Sequence, residues 1–162
     1  MLIPTGIITV SDRASRGEYA DLGGPALRDA ATAQGWRVLA ETIVPDEKPE
    51  IQRAIRAQIE AGCQLILTTG GTGIARRDVT PEAVLEIARC TLPGFGEVMR
   101  LESLKITPHA ILARGLAAVV GRTLVLCLPG KPSGAVECLG FVVRAIPHGV
   151  ALLQDEPEGL HR

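Results

Sequence analysis

At 162 residues, with 46% hydrophobic and only 2% aromatic content, the chain suits one compact domain built on an aliphatic core. Its net charge of −1 and its four scattered aromatic residues, Tyr19, Trp36, Phe95 and Phe141, argue against a nucleic-acid footprint or a base-stacking platform. No basic region followed by a long apolar segment opens the sequence, and apolar runs elsewhere are cut by Arg, Gly or Pro short of the ~20 residues a membrane helix needs. A soluble cytoplasmic protein with no membrane partner is expected.

Residues 5–10 form a β-rich run that empties into the polar Ser11-Asp12-Arg13. Gly23-Gly24-Pro25 opens a helix with Leu27, Ala30, Ala31 and Gln34 along one face, and Gly35 is placed to end it in a left-handed conformation. Residues 36–44 read as a second strand, broken by Pro45-Asp46-Glu47. Ile51, Ala54, Ile55 and Ile59 then mark the stripe of a helix closing at Gly62. The third strand, 65–68, runs into a glycine loop, and the next helix starts with Thr80 as N-cap and Pro81 in its first turn, reaching about residue 89. Pro93-Gly94 ends that element, and a shorter helix spans 96–104. Residues 116–120 and 123–128 flank Gly121-Arg122 as a hairpin, adding an antiparallel edge strand. A final helix, 135–153, carries a kink at Pro147.

Strands alternating with helices predict an α/β fold, a three-layer α/β/α sandwich with a mostly parallel sheet. Residues 1–153 form the single domain, and residues 154–162 are expected to fray as a tail. Cys63, Cys90, Cys127 and Cys138 lack the paired spacing of a zinc site and are expected to be buried reduced thiols. His109, His148 and His161 show no metal-ligand pattern.

The densest functional signal is Thr69-Gly70-Gly71-Thr72-Gly73 with its charged sequel Arg76-Arg77-Asp78-Val79-Thr80-Pro81-Glu82. A buried strand ending in glycines presents backbone N–H groups to an anion. The P-loop is excluded because Ile74 and Ala75, not Lys and Ser or Thr, follow Gly73; the dinucleotide fingerprint is excluded because Arg76 stands where a third small residue belongs. Asp78 beside an anion cradle calls for a bridging metal ion. In a parallel sheet the polar loops gather beyond the strand C-termini, so Ser11, Asp12, Asp46, the Gly70 to Asp78 loop and Lys131 are expected around one pocket. Asp12 suits a turn cap as well as a ligand contact, Asp46 a helix start as well as a ligand, and Lys131 a solvated charge as well as a phosphate contact.

Six ordered segments give the chain a resemblance to the molybdenum-cofactor biosynthesis family of MogA and MoaB proteins, which includes the G domain of gephyrin. They are Thr9-Val10-Ser11-Asp12, Val44-Pro45-Asp46-Glu47, Thr69 to Gly73, Arg77 to Glu82, Glu102-Ser103-Leu104-Lys105-Ile106-Thr107-Pro108 and Leu128-Pro129-Gly130. Ser11-Asp12-Arg13-Ala14-Ser15 and Tyr19-Ala20-Asp21 look more like MogA. The resemblance implies a molybdopterin adenylyltransferase that moves AMP from Mg-ATP onto the terminal phosphate of molybdopterin; the alternative is a non-catalytic pterin- or nucleotide-binding paralogue. It implies Asp46 and Asp78 as the catalytic, Mg²⁺-holding carboxylates; Ser11, Asp12, Gly70, Gly71, Thr72, Gly73 and Lys131 toward the nucleotide phosphates; and Ser103 and Arg114 toward the pterin. It further implies a homotrimer and a molybdate-inserting enzyme as partner. Two departures from the family pattern stand out: Ala113 where relatives often carry Ser, and Lys131 where Gln or Asn is common.

Overall fold

The inner strands are buried along nearly their whole length, so each needs cover on both faces. The computed structural model of the protein describes residues 2–155. Strand β1 (Pro4–Val10) leads through a single turn, α1 (Asp12–Ser15), to α2 (Gly23–Ala33); β2 (Arg37–Val44) is followed by α3 (Lys48–Glu60), and β3 (Leu65–Thr69) by α4 (Thr80–Ile87). Then come β4 (Cys90–Thr91), α5 (Pro93–Leu104), a 3₁₀ turn (Pro108–Leu112), the hairpin β5 (Ala117–Val120) and β6 (Thr123–Leu128), α6 (Pro132–Val142), a second 3₁₀ turn (Val143–Ala145) and α7 (Ile146–Leu153).

The six strands form one sheet in the order β2-β1-β3-β6-β5-β4. β2, β1, β3 and β6 run parallel, while β5 pairs antiparallel with β6. Alternation along each strand sorts the core into two layers. Ile7, Leu65, Leu67, Leu124 and Leu126 meet α2, α5, α6 and α7 on one face; Ile8, Ile66, Val125 and Cys127 meet α3 and α4 on the other. Leu126 is fully buried in the centre of this sandwich, so Leu126→Ala is expected to cost about 2–5 kcal/mol, read as a lower urea midpoint at unchanged slope.

Gly35, Gly62 and Gly121 all take positive φ, as expected where two helices and a hairpin must turn. Several expectations are corrected. Pro93 begins α5 rather than ending α4, because a proline in the first turn gives up no needed N–H. The hairpin strand β5 is not the sheet edge: the two-residue β4 borders it, too short for any periodic signal, and it leaves Cys90 exposed rather than buried. Thr80 is the first residue of α4 and not its N-cap; Val79 occupies that place without a side-chain bond. The last helix starts at Pro132 and breaks at the 3₁₀ turn, with Pro147 in the first turn of α7. Within residues 132–153 an 18-residue window reaches a mean hydropathy of 1.6, which by length and composition alone suits a membrane crossing. In the fold Ala135, Leu139, Ile146 and Val150 of that stretch are buried in the core. Of the tail expected to fray, residues 156–162 lie outside the described residues.

Candidate active site

The strand order creates the site. From β1 the chain crosses to β2 at the edge, then back over β1 to β3, so the connections leaving neighbouring β1 and β3 diverge and leave a crevice at their C-terminal ends. A cleft of about 340 Å³ lies there, lined by Ser11 from the β1 end, Gly70 and Gly71 from the β3 end, Gly130 beyond β6, and the carboxylates Asp46 and Asp78. Four crossover loops separated in sequence thus meet at one place.

The glycine loop is shaped by close approach. Gly70 has φ +102°, and a Cβ there would lie 2.2 Å from the Val10 carbonyl oxygen; Gly71 has φ +71°, and its Cβ would lie 2.2 Å from Thr80 Oγ1. Thr80 Oγ1 donates to the Gly70 carbonyl at 2.9 Å and Thr80 N–H to the Gly71 carbonyl at 3.1 Å, so the start of α4 pins the loop. Gly70 N–H donates to Leu128 O at 3.2 Å, whereas the N–H groups of Gly71, Thr72 and Gly73 find no acceptor among the described residues. A run of unpaired donors is an electropositive backbone edge.

Asp46 and Asp78 approach this loop from two sides: Cβ atoms on Gly71 and Gly73 would lie 3.2 Å from Asp46 Oδ1 and 2.8 Å from Asp78 Oδ2. Asp78 Oδ2 accepts the Ala75 N–H at 2.9 Å. Asp46 Oδ2 accepts the Asp12 N–H, and Asp12 Oδ1 accepts the Asp46 N–H, each at 2.9 Å. Burial pushes the Asp46 carboxyl above its usual range, and the neighbouring charges of Asp12 and Asp78 push the same way. Asp12 goes the other way, held low chiefly by its hydrogen bond from Arg77. Neither Asp46 nor Asp78 makes an ion pair with a basic side chain among the described residues. Two such carboxylates next to unpaired N–H donors form a place where phosphate is welcome only with a cation. No set of three or more His, Cys, Asp or Glu positioned to hold a metal occurs among the described residues. A donor set of two carboxylates fits Mg²⁺, which keeps waters and takes further oxygens from a substrate phosphate.

The other residues singled out in the sequence fall in different places. Ser11 lines the cleft and caps α1, its Oγ accepting the Ala14 N–H at 3.2 Å. Lys131 sits exposed between the cleft-lining Gly130 and Pro132, with no acidic partner among the described residues. Arg114 lies behind the glycine loop: Nε donates to Gly73 O and Nη2 to Asp78 O, both at 2.8 Å, and Nη1 pairs with Glu82. Burial works against the Glu82 charge, yet Arg114 holds that carboxyl below its usual range. The guanidinium for which the resemblance implies a pterin contact is therefore occupied in shaping the loop. Arg114→Ala is expected to lose about 1–2 kcal/mol, the worth of charge-assisted bonds discounted for partial exposure, and to speed amide hydrogen exchange across residues 71–79. Ser103 does not line the cleft; its Oγ lies 3.5 Å from Cys138 Sγ, where α5 packs on α6.

Two lining residues carried no role in the sequence reading. Asp21 accepts Thr9 Oγ1–H at 2.9 Å and the Gly24 N–H at 3.0 Å, anchoring the start of α2 at the cleft. Tyr19 shares a 3.0 Å hydrogen bond with Ser11 Oγ under the Arg13 guanidinium, 5.2 Å from the ring centroid. An Asp two residues before the first helical glycine, its carboxylate accepting the N–H of the second, is a local capping signal in the sequence.

A family model described as a probable molybdopterin binding domain matches residues 6–148. The molybdopterin adenylyltransferases of Helicobacter pylori strain J99 and Escherichia coli K12 are 44% and 43% identical to the chain, covering 93% and 90% of it and 88% and 78% of their own lengths. The crystal structure of the molybdopterin biosynthesis enzyme MoaB from Thermus thermophilus superposes with a TM-score of 0.89 at 45% identity, covering 96% of this chain and 99% of that one. With a family model matching most of its length and relatives 43–45% identical over nine-tenths or more of it, the chain belongs to the molybdenum-cofactor biosynthesis family.

Proposed function

We infer that the chain is a molybdopterin adenylyltransferase, using Mg-ATP to adenylylate the terminal phosphate of molybdopterin. The observation that carries this reading is the meeting of two carboxylates, Asp46 and Asp78, that have no ion-pair partner among the described residues, with the N–H groups of the glycine loop in one cleft at the reversal of strand order. The like-named activity of the 43–44% identical relatives supports it.

In the reaction a terminal phosphate oxygen of molybdopterin attacks the α-phosphorus of ATP. The bond to the β-phosphate breaks, and pyrophosphate leaves with the electron pair. The attacking group is already an anion, so the barrier is charge repulsion and alignment, and no covalent protein nucleophile is required. Asp46 and Asp78 would hold the cation, directly or through water. When bound, Mg²⁺ neutralises the phosphate charge that would otherwise keep the two anions apart. The amides of Gly71, Thr72 and Gly73 receive phosphate oxygens, and Lys131 reaches the departing pyrophosphate from the rim. Ser11 and the Asp21-anchored start of α2 complete the lining of the cleft. Purified chain incubated with ATP, Mg²⁺ and molybdopterin is expected to yield adenylylated molybdopterin and pyrophosphate in equal amounts. Pterin binding without product would leave a carrier role instead. The adenylylated product is suited to pass to a molybdate-inserting enzyme.

Exposed apolar residues on and after α5 support the trimer that the resemblance implies. Leu101 is 63% and Ile111 72% exposed, with Val98, Leu104 and Ile106 nearby in sequence. Light scattering is expected to give three times the chain mass, and Leu101→Glu to shift it toward the single chain. A wild-type monomer would remove this part of the reading.

A further inference from the structure

Arg77 is exposed and adjoins Asp78, yet its guanidinium points away from a solvent role. Its Nε donates to Asp12 Oδ2 at 2.6 Å, and its Nη2 donates to Asp12 Oδ1 at 3.1 Å, to the Asp46 carbonyl at 3.3 Å and to Glu47 Oε1 at 2.7 Å. One side chain of the glycine loop therefore grips the connections that follow β1 and β2. Asp12, held by that fork, is the residue that exchanges two backbone-to-carboxylate hydrogen bonds with Asp46. The chain of contacts runs Arg77 to Asp12 to Asp46, and its last member faces the glycine loop. Both oxygens of Asp12 accept hydrogen bonds, which makes Asp12 a link in this chain. A surface ion pair alone contributes little, but a bidentate fork that fixes Asp12, whose backbone N–H donates to the Asp46 carboxylate and whose own carboxylate accepts the Asp46 N–H, is the kind of outer contact that sets a metal-binding group.

We propose that Arg77 is a positioning residue, which through Asp12 holds the Asp46 carboxylate in the orientation that receives a divalent cation. The proposal rests on the cation-dependent reading of the cleft given above. It differs from a direct role, in which the guanidinium reaches substrate phosphate, and from a merely structural one, in which it only ties loops together.

The test uses the full chain as R77M, R77K, D12N and the double variant R77M/D12N. Mn²⁺ alone is titrated into each and read by electron paramagnetic resonance of the free ion. The Mg²⁺ dependence of adenylyl transfer is read in parallel, and melting temperature controls for folding. R77M is expected to weaken Mn²⁺ binding about tenfold or more and to raise the Mg²⁺ needed for half-maximal rate by a similar factor. R77K is expected to recover little, because an ammonium does not reproduce the fork. D12N should show the same loss, and the double variant no further loss, since both substitutions break one chain of contacts. Wild-type Mn²⁺ binding in R77M overturns the proposal. So does full additivity with D12N, or a defect confined to the KM for ATP, either of which makes Arg77 a direct contact. If R77M does not fold, D12N decides alone, and wild-type Mn²⁺ binding there is fatal. A wild-type chain that neither binds Mn²⁺ nor transfers AMP removes the underlying reading, an outcome distinct from failure of Arg77.

Discussion

Asp78→Asn and Asp46→Asn are each expected to lower adenylyl transfer on the order of 10²–10³-fold, the loss typical of removing one preorganised charge at a reacting centre. An amide keeps the shape and one acceptor oxygen but supplies no charge to a cation. The stability of the two variants is the discriminating companion measurement. Burial and the charges of Asp12 and Asp78 raise the Asp46 carboxyl above its unfolded value. The folded state then holds the Asp46 proton more tightly than the unfolded one, so this group's contribution favours folding at low pH and is lost as pH rises through the raised value. At neutral pH the ionised Asp46 therefore works against the fold. Asp46→Asn is expected to melt at the same temperature as wild type or higher while losing activity, the pattern of a residue kept for chemistry at some cost in stability. Unchanged turnover and Mg²⁺ dependence in Asp78→Asn would refute the assignment of the pair.

The second large effect is expected at Gly70. With φ at +102° the residue lies outside the region that side-chain-bearing residues readily adopt, a cost of about 1–3 kcal/mol by itself. The Cβ of Gly70→Ala would also stand 2.2 Å from a backbone carbonyl oxygen, that of Val10, which has no rotamer to swing away. A loss of about 3 kcal/mol or more is expected, or roughly 6–12 °C in melting temperature for a domain of this size. Gly71→Ala makes the comparison. There φ is +71° and the clash is with Thr80 Oγ1, a side-chain atom that can rotate at the expense of its bond to the Gly70 carbonyl. Its stability loss is expected to be smaller, with activity falling further than stability. If Gly70→Ala melts with the wild type, the close packing of the β1 and β3 ends is wrong.

Legibility in the sequence followed the range of the signal. The strand run ending in Thr69 and the glycines after it announce a buried strand and a donor-rich loop, because burial and positive φ are demands on neighbouring residues. The stripe Ile51, Ala54, Ile55 and Ile59 announces α3 for the same reason, and the structure buries Ile51, Ala54 and Ile55. β4 was not legible, since two residues carry no period. The start of α5 was misread because Pro93-Gly94 ends one helix as readily as it opens another. Thr80 was misread because its hydroxyl is taken by a carbonyl ten residues back rather than by its own helix.

The amino-acid sequence alone determined the layered α/β architecture, the position of the glycine loop and the presence of two candidate carboxylates after strands, since each follows from local patterns of burial, glycine and charge. Only the tertiary structure decided the partners of the arginines. Arg77 meets Asp12 across 65 residues and Arg114 meets Gly73 across 41, and no local period carries such pairings. They exist because reversal of strand order at β1 and β3 brings distant crossover loops to one crevice, where side-chain donors must find the carbonyls and carboxylates crowded there.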